Sequence, residues 1–290
     1  MIWQTARFQI DLSRPRVMGI VNVTPDSFSD GGRHANTRAA LAHAEQLLSD
    51  GAHILDIGGE STRPGAAPVT LEDELARVLP VLREALKFGV PLSIDTYKPE
   101  VMQAALDAGA DIINDVWALR WQASPQALAG PAVVAAHASA GVCLMHMHRD
   151  PASMQVHTMA GDVVPQVLHF LEHQSQYLHG LGVQKSRIVW DMGIGFGKTV
   201  AQNFTLLARQ SELCAHGYPV LAGWSRKSSL GAVTGLPDQQ AQAASHPRMV
   251  PSVAAALLAV ARGARVVRVH DVKETVQALQ VWQAMHEQES

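Results

Sequence analysis

Only two cysteines occur in 290 residues, too few for a disulfide framework. Cys143 lies in an apolar run and Cys214 near the end of a helical one, a pattern that suits a reduced, cytoplasmic setting. No Pro/Ser-rich linker, low-complexity tract or block of like charge divides the chain. It reads as a single domain over 1–290, with 1–15 as an N-terminal extension. No segment reaches membrane-spanning length, and the opening MIWQTARFQIDLSRPR lacks the apolar stretch of a signal peptide. Net charge is −3 and the basic residues are scattered, which argues against nucleic acid as the main partner. An anionic ligand must then be met by local arginines and lysines.

What the chain does have is eight short apolar runs, each ending in a polar or glycine-rich cluster. They are VMGIVN (17–22), HILDIGG (53–59), PLSID (91–95), DIIND (111–115), VCLMH (142–146), RIVWD (187–191), PVLAG (219–223) and RVVRVH (265–270). Between them lie stretches with apolar residues at helical spacing, such as AALAHAEQLL (39–48) and PSVAAALLAVA (251–261). Strands that alternate with helices imply a parallel sheet, whose buried strands read as unbroken apolar runs. Eight units in one chain of this length predict a closed (β/α)8 TIM barrel, with the site at the C-terminal strand ends. A doubly wound sheet would need a reversal of strand order, and polar endings on all eight runs favour closure. The endings Asn22, Asp56, Asp95, Asn114, His146, Asp191, Ser225-Arg226-Lys227-Ser228, and Arg268 with His270 should converge on one mouth.

After the first run, NVTPDSFSDGG (22–32) can continue neither strand nor helix. Phe28 in its middle either tucks beneath its own loop or presents an aromatic wall from a mobile lid. Asn22 offers an amide oxygen suited to a hard cation such as Mg²⁺. In GGESTRPGA (58–66), Ser61, Thr62 and Arg63 between glycines form a small anion-reading set. Asp95, Asn114-Asp115 and Asp191 end apolar runs, where an acid must find partners or shift its pKa. Each could cap the following helix; three at one mouth favour recognition of a flat heterocycle rich in N–H donors. GIGFGK (193–198) does not match the Walker A frame, and its glycines are expected to turn sharply and project Phe196 into the pocket. His146 and His148 alternate like metal ligands, but two histidines fall short of a zinc set. Lys227, in GWSRKS (223–228), suits either a Schiff base or a point charge on a ligand. Arg268 and His270, two apart, share one face of the last run, and loops after the seventh and eighth barrel strands frequently hold phosphate.

Taken together, GIVNVTPDSFSDGG, DIGGESTRPGA, SIDTYKPEV, IIND, CLMHM, GFGK, SRKS and RVHDVKETV closely resemble the dihydropteroate synthase family, in order across residues 18–277. The resemblance implies a transferase that joins 4-aminobenzoate to 6-hydroxymethyl-dihydropterin diphosphate in folate biosynthesis, with release of pyrophosphate. It assigns the pterin ring to Asp95, Asn114, Asp191 and Lys227, with Arg268 stacked over it and Met145 and Phe196 as apolar walls. Asn22 would meet the Mg²⁺ of the diphosphate, and Arg63, Arg268 and His270 would surround that group. Thr62, Pro64, Phe28, Lys227 and Ser228 would border the aminobenzoate pocket, where sulfonamides also compete, with Gly223 close by. Asp95, Lys227 and Arg268 carry the catalytic expectation, and a homodimer is expected. Trp224 and Ile194 stand where the family has other side chains and are expected to bear on pocket shape. A methyltetrahydrofolate methyltransferase would share the pterin contacts but needs no diphosphate site, and a non-catalytic paralogue would be expected to lack Asn22, Arg63, Lys227 or Arg268.

Overall fold

The computed structural model describes the chain except residues 25–31, 62–65, 152, 155, 237–245, 289 and 290. Each of the eight runs forms a strand: β3 (Arg16–Asn22), β4 (Ile54–Gly58), β5 (Leu92–Asp95), β6 (Ile112–Asp115), β7 (Gly141–Met145), β8 (Ile188–Asp191), β9 (Val220–Ala222) and β10 (Val266–Val269). All pair in parallel, and β10 returns to β3, which closes the barrel. The helices around it are α1 (Gly32–Ser49), α2 (Leu71–Ala85), α3 (Pro99–Asp107), α4 (Gly130–Ala136), α5 (Val163–Gly180), α6 (Val200–Ala208), α7 (Gln210–Cys214), α8 (Ser228–Thr234), α9 (Met249–Ala261) and α10 (Val272–His286). Parallel strands buried on both faces explain why the runs show no polar alternation.

Alternation of side chains along a strand sorts the sixteen strand faces into two environments. Val17, Leu55, Ile57, Ile94, Ile113, Val142, Leu144, Trp190, Val220 and Val267 point outward and join the core shared with the helices. The opposite parity points inward. Its lowest members, Met18, Ile54, Ile112, Cys143, Val189, Leu221 and Val266, fill the barrel floor.

Residues 1–15 are not a mere extension. β1 (Ile2–Gln4) and β2 (Gln9–Asp11) form an antiparallel hairpin whose Trp3, Ile10 and Leu12 pack onto that floor. Trp3 is fully buried, and its indole N–H donates to the Arg187 carbonyl at 3.0 Å. Arg7 pairs with buried Asp111 at 2.6 Å, and Asp111 also accepts from the Leu92 N–H at 2.9 Å. The hairpin therefore stoppers the N-terminal end of the barrel and leaves only the C-terminal end open for chemistry.

Candidate active site

The same inward parity, carried to the C-terminal strand ends, delivers Asn22, Asp56, Asp95, Asn114, Met145, Asp191, Gly223, Arg268 and His270 to one mouth. At its centre the Arg268 guanidinium spans two carboxylates, with Nε to Asp56 Oδ2 at 2.6 Å and Nη2 to Asp95 Oδ2 at 2.5 Å. Asn114 donates its amide to the same Asp56 oxygen at 3.3 Å. Burial works against the Arg268 charge, but Asp56 and Asp95 outweigh it and hold the guanidinium above its ordinary pKa. Burial pushes the Asp95 carboxyl above the usual carboxylate range; Arg268 pulls it back, while Asp56 and Glu74 add to the rise.

Beside this network, Asp191 Oδ1 accepts the Gly193 N–H at 2.7 Å, and burial again raises the carboxyl against the pull of that bond and of Lys227. Gly223 follows β9 next to this carboxylate; a Cβ there would lie 3.6 Å from Asp191 Oδ2, in ordinary contact. Lys227 holds its ammonium 4.4 Å from the centroid of Phe196. Phe196 packs with Val116, Met145, Met147 and Met154 into an apolar wall. Gly193, Gly195 and Gly197 all adopt positive φ, which gives the sharp turn expected of GIGFGK and brings Phe196 to the mouth. Ser225 Oγ contacts His270 Nδ1 at 2.9 Å and accepts the His270 N–H at 3.1 Å, tying the loop after β9 to the end of β10. Ser228 opens α8 and is exposed next to Lys227. Asn22 ends β3 half-buried. Phe28, Thr62, Arg63 and Pro64 lie outside the described residues.

The capping alternative fails at these positions. The helices that follow β5 and β8 take their N-caps from Lys98 and Thr199, and α4 from Ala129, so Asp95, Asn114 and Asp191 are not caps. Asp115 is a correction. Next to inward Asn114, it faces outward and accepts the Trp117 N–H at 2.8 Å and the Leu119 N–H at 2.6 Å. It thereby holds a turn in which Ala118 and Leu119 have positive φ, and burial pushes it up to about 7. Trp224, whose bearing on pocket shape the sequence left open, is buried in the outer core against Phe204. His146 likewise faces away from the barrel axis. Burial, reinforced by Lys198 and Arg120, pushes it down to about 2.

One residue expected at the mouth gains a role, and one was not anticipated there. Asp56 stood among the polar strand ends with no role assigned, and on β4 it lies two residues beyond inward Ile54, on the same face. Lys198 closes GIGFGK but is buried behind the mouth, which no local pattern announces. The arrangement combines carboxylates and an amide that read N–H donors, an apolar wall, and a cationic rim of Lys227 and Arg268. It can bind a polar heterocycle that carries an anionic substituent.

The family model described as pterin binding enzyme matches residues 18–270, which includes every strand of the barrel except part of β3. The site is thus that of a pterin-binding barrel. The chain is 50% identical over 287 residues to dihydropteroate synthase of Neisseria meningitidis serogroup C, covering 98% of this chain and 97% of that protein. The structure of the Xanthomonas albilineans dihydropteroate synthase with 4-aminobenzoic acid superposes with a TM-score of 0.86 at 48% identity, covering 99% of both chains. That of the Burkholderia cenocepacia enzyme complexed with 7,8-dihydropteroate gives 0.85 at 46% identity, covering 99% of this chain and 97% of that one. The chain belongs to the dihydropteroate synthase family.

Proposed function

We propose that this chain condenses 4-aminobenzoate with (7,8-dihydropterin-6-yl)methyl diphosphate to give 7,8-dihydropteroate and pyrophosphate. The observation that carries the reading is the Asp56–Arg268–Asp95 network with Asn114 and Asp191, set beneath cationic Lys227. The carboxylates and the amide are acceptors suited to the N–H groups of a pterin, and the cations are suited to a diphosphate. A methyl transferase would have no use for the cationic rim.

In the reaction the bond from the pterin methylene carbon to the diphosphate oxygen breaks, and the electron pair leaves with pyrophosphate. The aminobenzoate nitrogen then bonds to that carbon and releases a proton. Positive charge develops on the pterin, where the Asp95 carboxylate opposes it; negative charge develops on the leaving group, where Arg268, Lys227 and His270 oppose it. The amine needs no strong base, so positioning and departure of the leaving group supply most of the acceleration. Lys227, lying over the Phe196 ring, acts as a point charge, since no carbonyl intermediate calls for a Schiff base. Arg63, with Thr62, Pro64, Phe28 and Ser228, completes the diphosphate and aminobenzoate sites in this reading, which makes the enzyme a sulfonamide target.

Mg²⁺ would be held by Asn22 together with the substrate's diphosphate. Asn22 ends β3 half-buried and would offer its amide oxygen, and Mg²⁺ takes few protein ligands beside water and substrate phosphate. When bound, the ion would neutralise charge on the departing pyrophosphate. Two free cysteines fit a reducing cytoplasm, and no helix among the described residues is long and apolar enough to cross a membrane. A homodimer is supported by α9 and α10, which expose Val250, Leu258, Val281 and Met285. The test of the activity is pyrophosphate release from purified enzyme. Multiple turnover should require both substrates; sustained turnover without aminobenzoate would make the protein a hydrolase and sink the reading.

A further inference from the structure

Behind the mouth, the reaction leaves unused a lysine built into a cage. Lys198 is 4% exposed, and its ammonium reaches four acceptors: His146 Nδ1 at 2.9 Å, the His146 carbonyl at 3.3 Å, the Gly193 carbonyl at 2.9 Å and the Phe196 carbonyl at 3.1 Å. Two of these belong to the segment after β7 and two to the segment after β8. The two segments are in close contact: a Cβ on Gly193 would collide with the His146 carbonyl, and one on Gly197 would lie 2.6 Å from His148 Cβ. The Asn203 side chain seals the far side, accepting the Gly195 N–H at 2.9 Å and donating to the Lys198 carbonyl at 3.4 Å.

We propose that Lys198 is a positioning residue, an ammonium staple that joins the β7 and β8 loops and thereby aims the Asp191 carboxylate and the Phe196 ring at the pterin. The inference rests on the assignment of those two residues to the pterin. Its logic is connectivity. The Gly193 carbonyl held by Lys198 belongs to the residue whose N–H fixes Asp191 Oδ1, and the Phe196 carbonyl belongs to the residue whose ring lies under Lys227. Losing the staple leaves four acceptors without their shared donor and frees both loops at once. Only the protonated amine has three hydrogens to share among these acceptors. Burial lowers the Lys198 pKa to about 7, with Asp191 pulling it up and Lys227 pushing it down; His146, His148 and Arg120 complete the charged or titratable surroundings. The staple should therefore weaken in mildly alkaline solution.

Calorimetry with pterin-6-carboxylic acid as the probe, combined with steady-state kinetics, tests this. In Lys198→Met, probe affinity should fall about tenfold and KM for the pterin diphosphate should rise in parallel, while KM for aminobenzoate stays within about twofold. Lys198→Arg should recover part of the loss. If Lys198→Met does not fold, Lys198→Gln, which keeps two N–H donors, carries the same expectations at about threefold. A variant with lowered melting temperature but unchanged probe affinity would overturn the staple and leave Lys198 merely structural. Asp191→Asn is run alongside. If it too leaves probe affinity unchanged, the pterin assignment has failed and the inference falls with it; if it weakens binding while the Lys198 variants do not, the staple alone is wrong.

Discussion

Asp95 and Asp115 are two buried carboxyls with opposite fates, one at the mouth and one turned away from it. Asp95 has Arg268 as a counter-ion and lies 12% exposed at the open end of the barrel. Replacing it by Asn keeps the shape and removes the negative charge that opposes the developing pterin cation. Turnover should fall by about two to three orders of magnitude, equivalent to roughly 3–4 kcal/mol, with the circular-dichroism spectrum unchanged. Turnover within about twofold of wild type would remove Asp95 from the mechanism. Asp115 accepts two backbone N–H groups and feels the charge of Arg120, but burial outweighs both, and its folded pKa of about 7 lies above the ordinary value of 3.8. Its folded form holds a proton that the unfolded chain releases, so the contribution to stability is complete below about pH 4 and declines as pH rises to about 7. Urea titrations of wild type and Asp115→Asn should therefore show a stability gap that narrows over that window. A gap that stays constant or widens would contradict the assignment.

Among the elements, the N-terminal hairpin and the glycine turn after β8 have different tasks. The hairpin closes the floor, far from the mouth, and its contribution is stability. Trp3→Ala would remove a fully buried indole and the bond to the Arg187 carbonyl. A loss of about 3–5 kcal/mol by urea unfolding is expected, with both KM values unchanged. A change in KM with stability intact would mean that the hairpin communicates with the mouth. The glycine turn, in contrast, lies directly against the site. Three residues with φ of +66°, +84° and +73° let the chain fold back on the end of β7, which sets Asp191, Phe196 and Lys198 together within eight residues.

For the whole molecule, one closed barrel brings the assigned side chains among the described residues to a single end, and the outer helices keep some apolar surface. Val250 is 69% exposed and Val281 74%, on helices that pack against one another. A two-fold pairing that covers this surface would produce a species of twice the 31.2 kDa chain mass in sedimentation. Val281→Asp should shift the population to the single-chain mass; a wild-type protein that sediments as one chain at micromolar concentration would refute the pairing.

The order of apolar runs and polar endings was enough to establish the barrel, its strands and its active end. The reason is that a parallel strand buried on both faces must be apolar throughout, so a polar residue at its end signals a site. Residue types at those ends were also enough to indicate a pterin and a diphosphate, through family-wide motifs from Asn22 to His270. What the linear pattern did not settle was direction. Asn114 and Asp115 are neighbours with similar chemistry, and only the pleat sends one to the mouth and the other to a turn. Asp56 became a member of the site once closure brought β4, β5 and β10 within reach of one guanidinium. Residues 1–15 read as an appendage because two three-residue strands carry almost no periodicity, and only the barrel floor gives Trp3 something to bury against. The cage around Lys198 joins residues 146 and 198, which are 52 positions apart. Contacts of that kind depend on how two loops pack, and tertiary structure alone decides them.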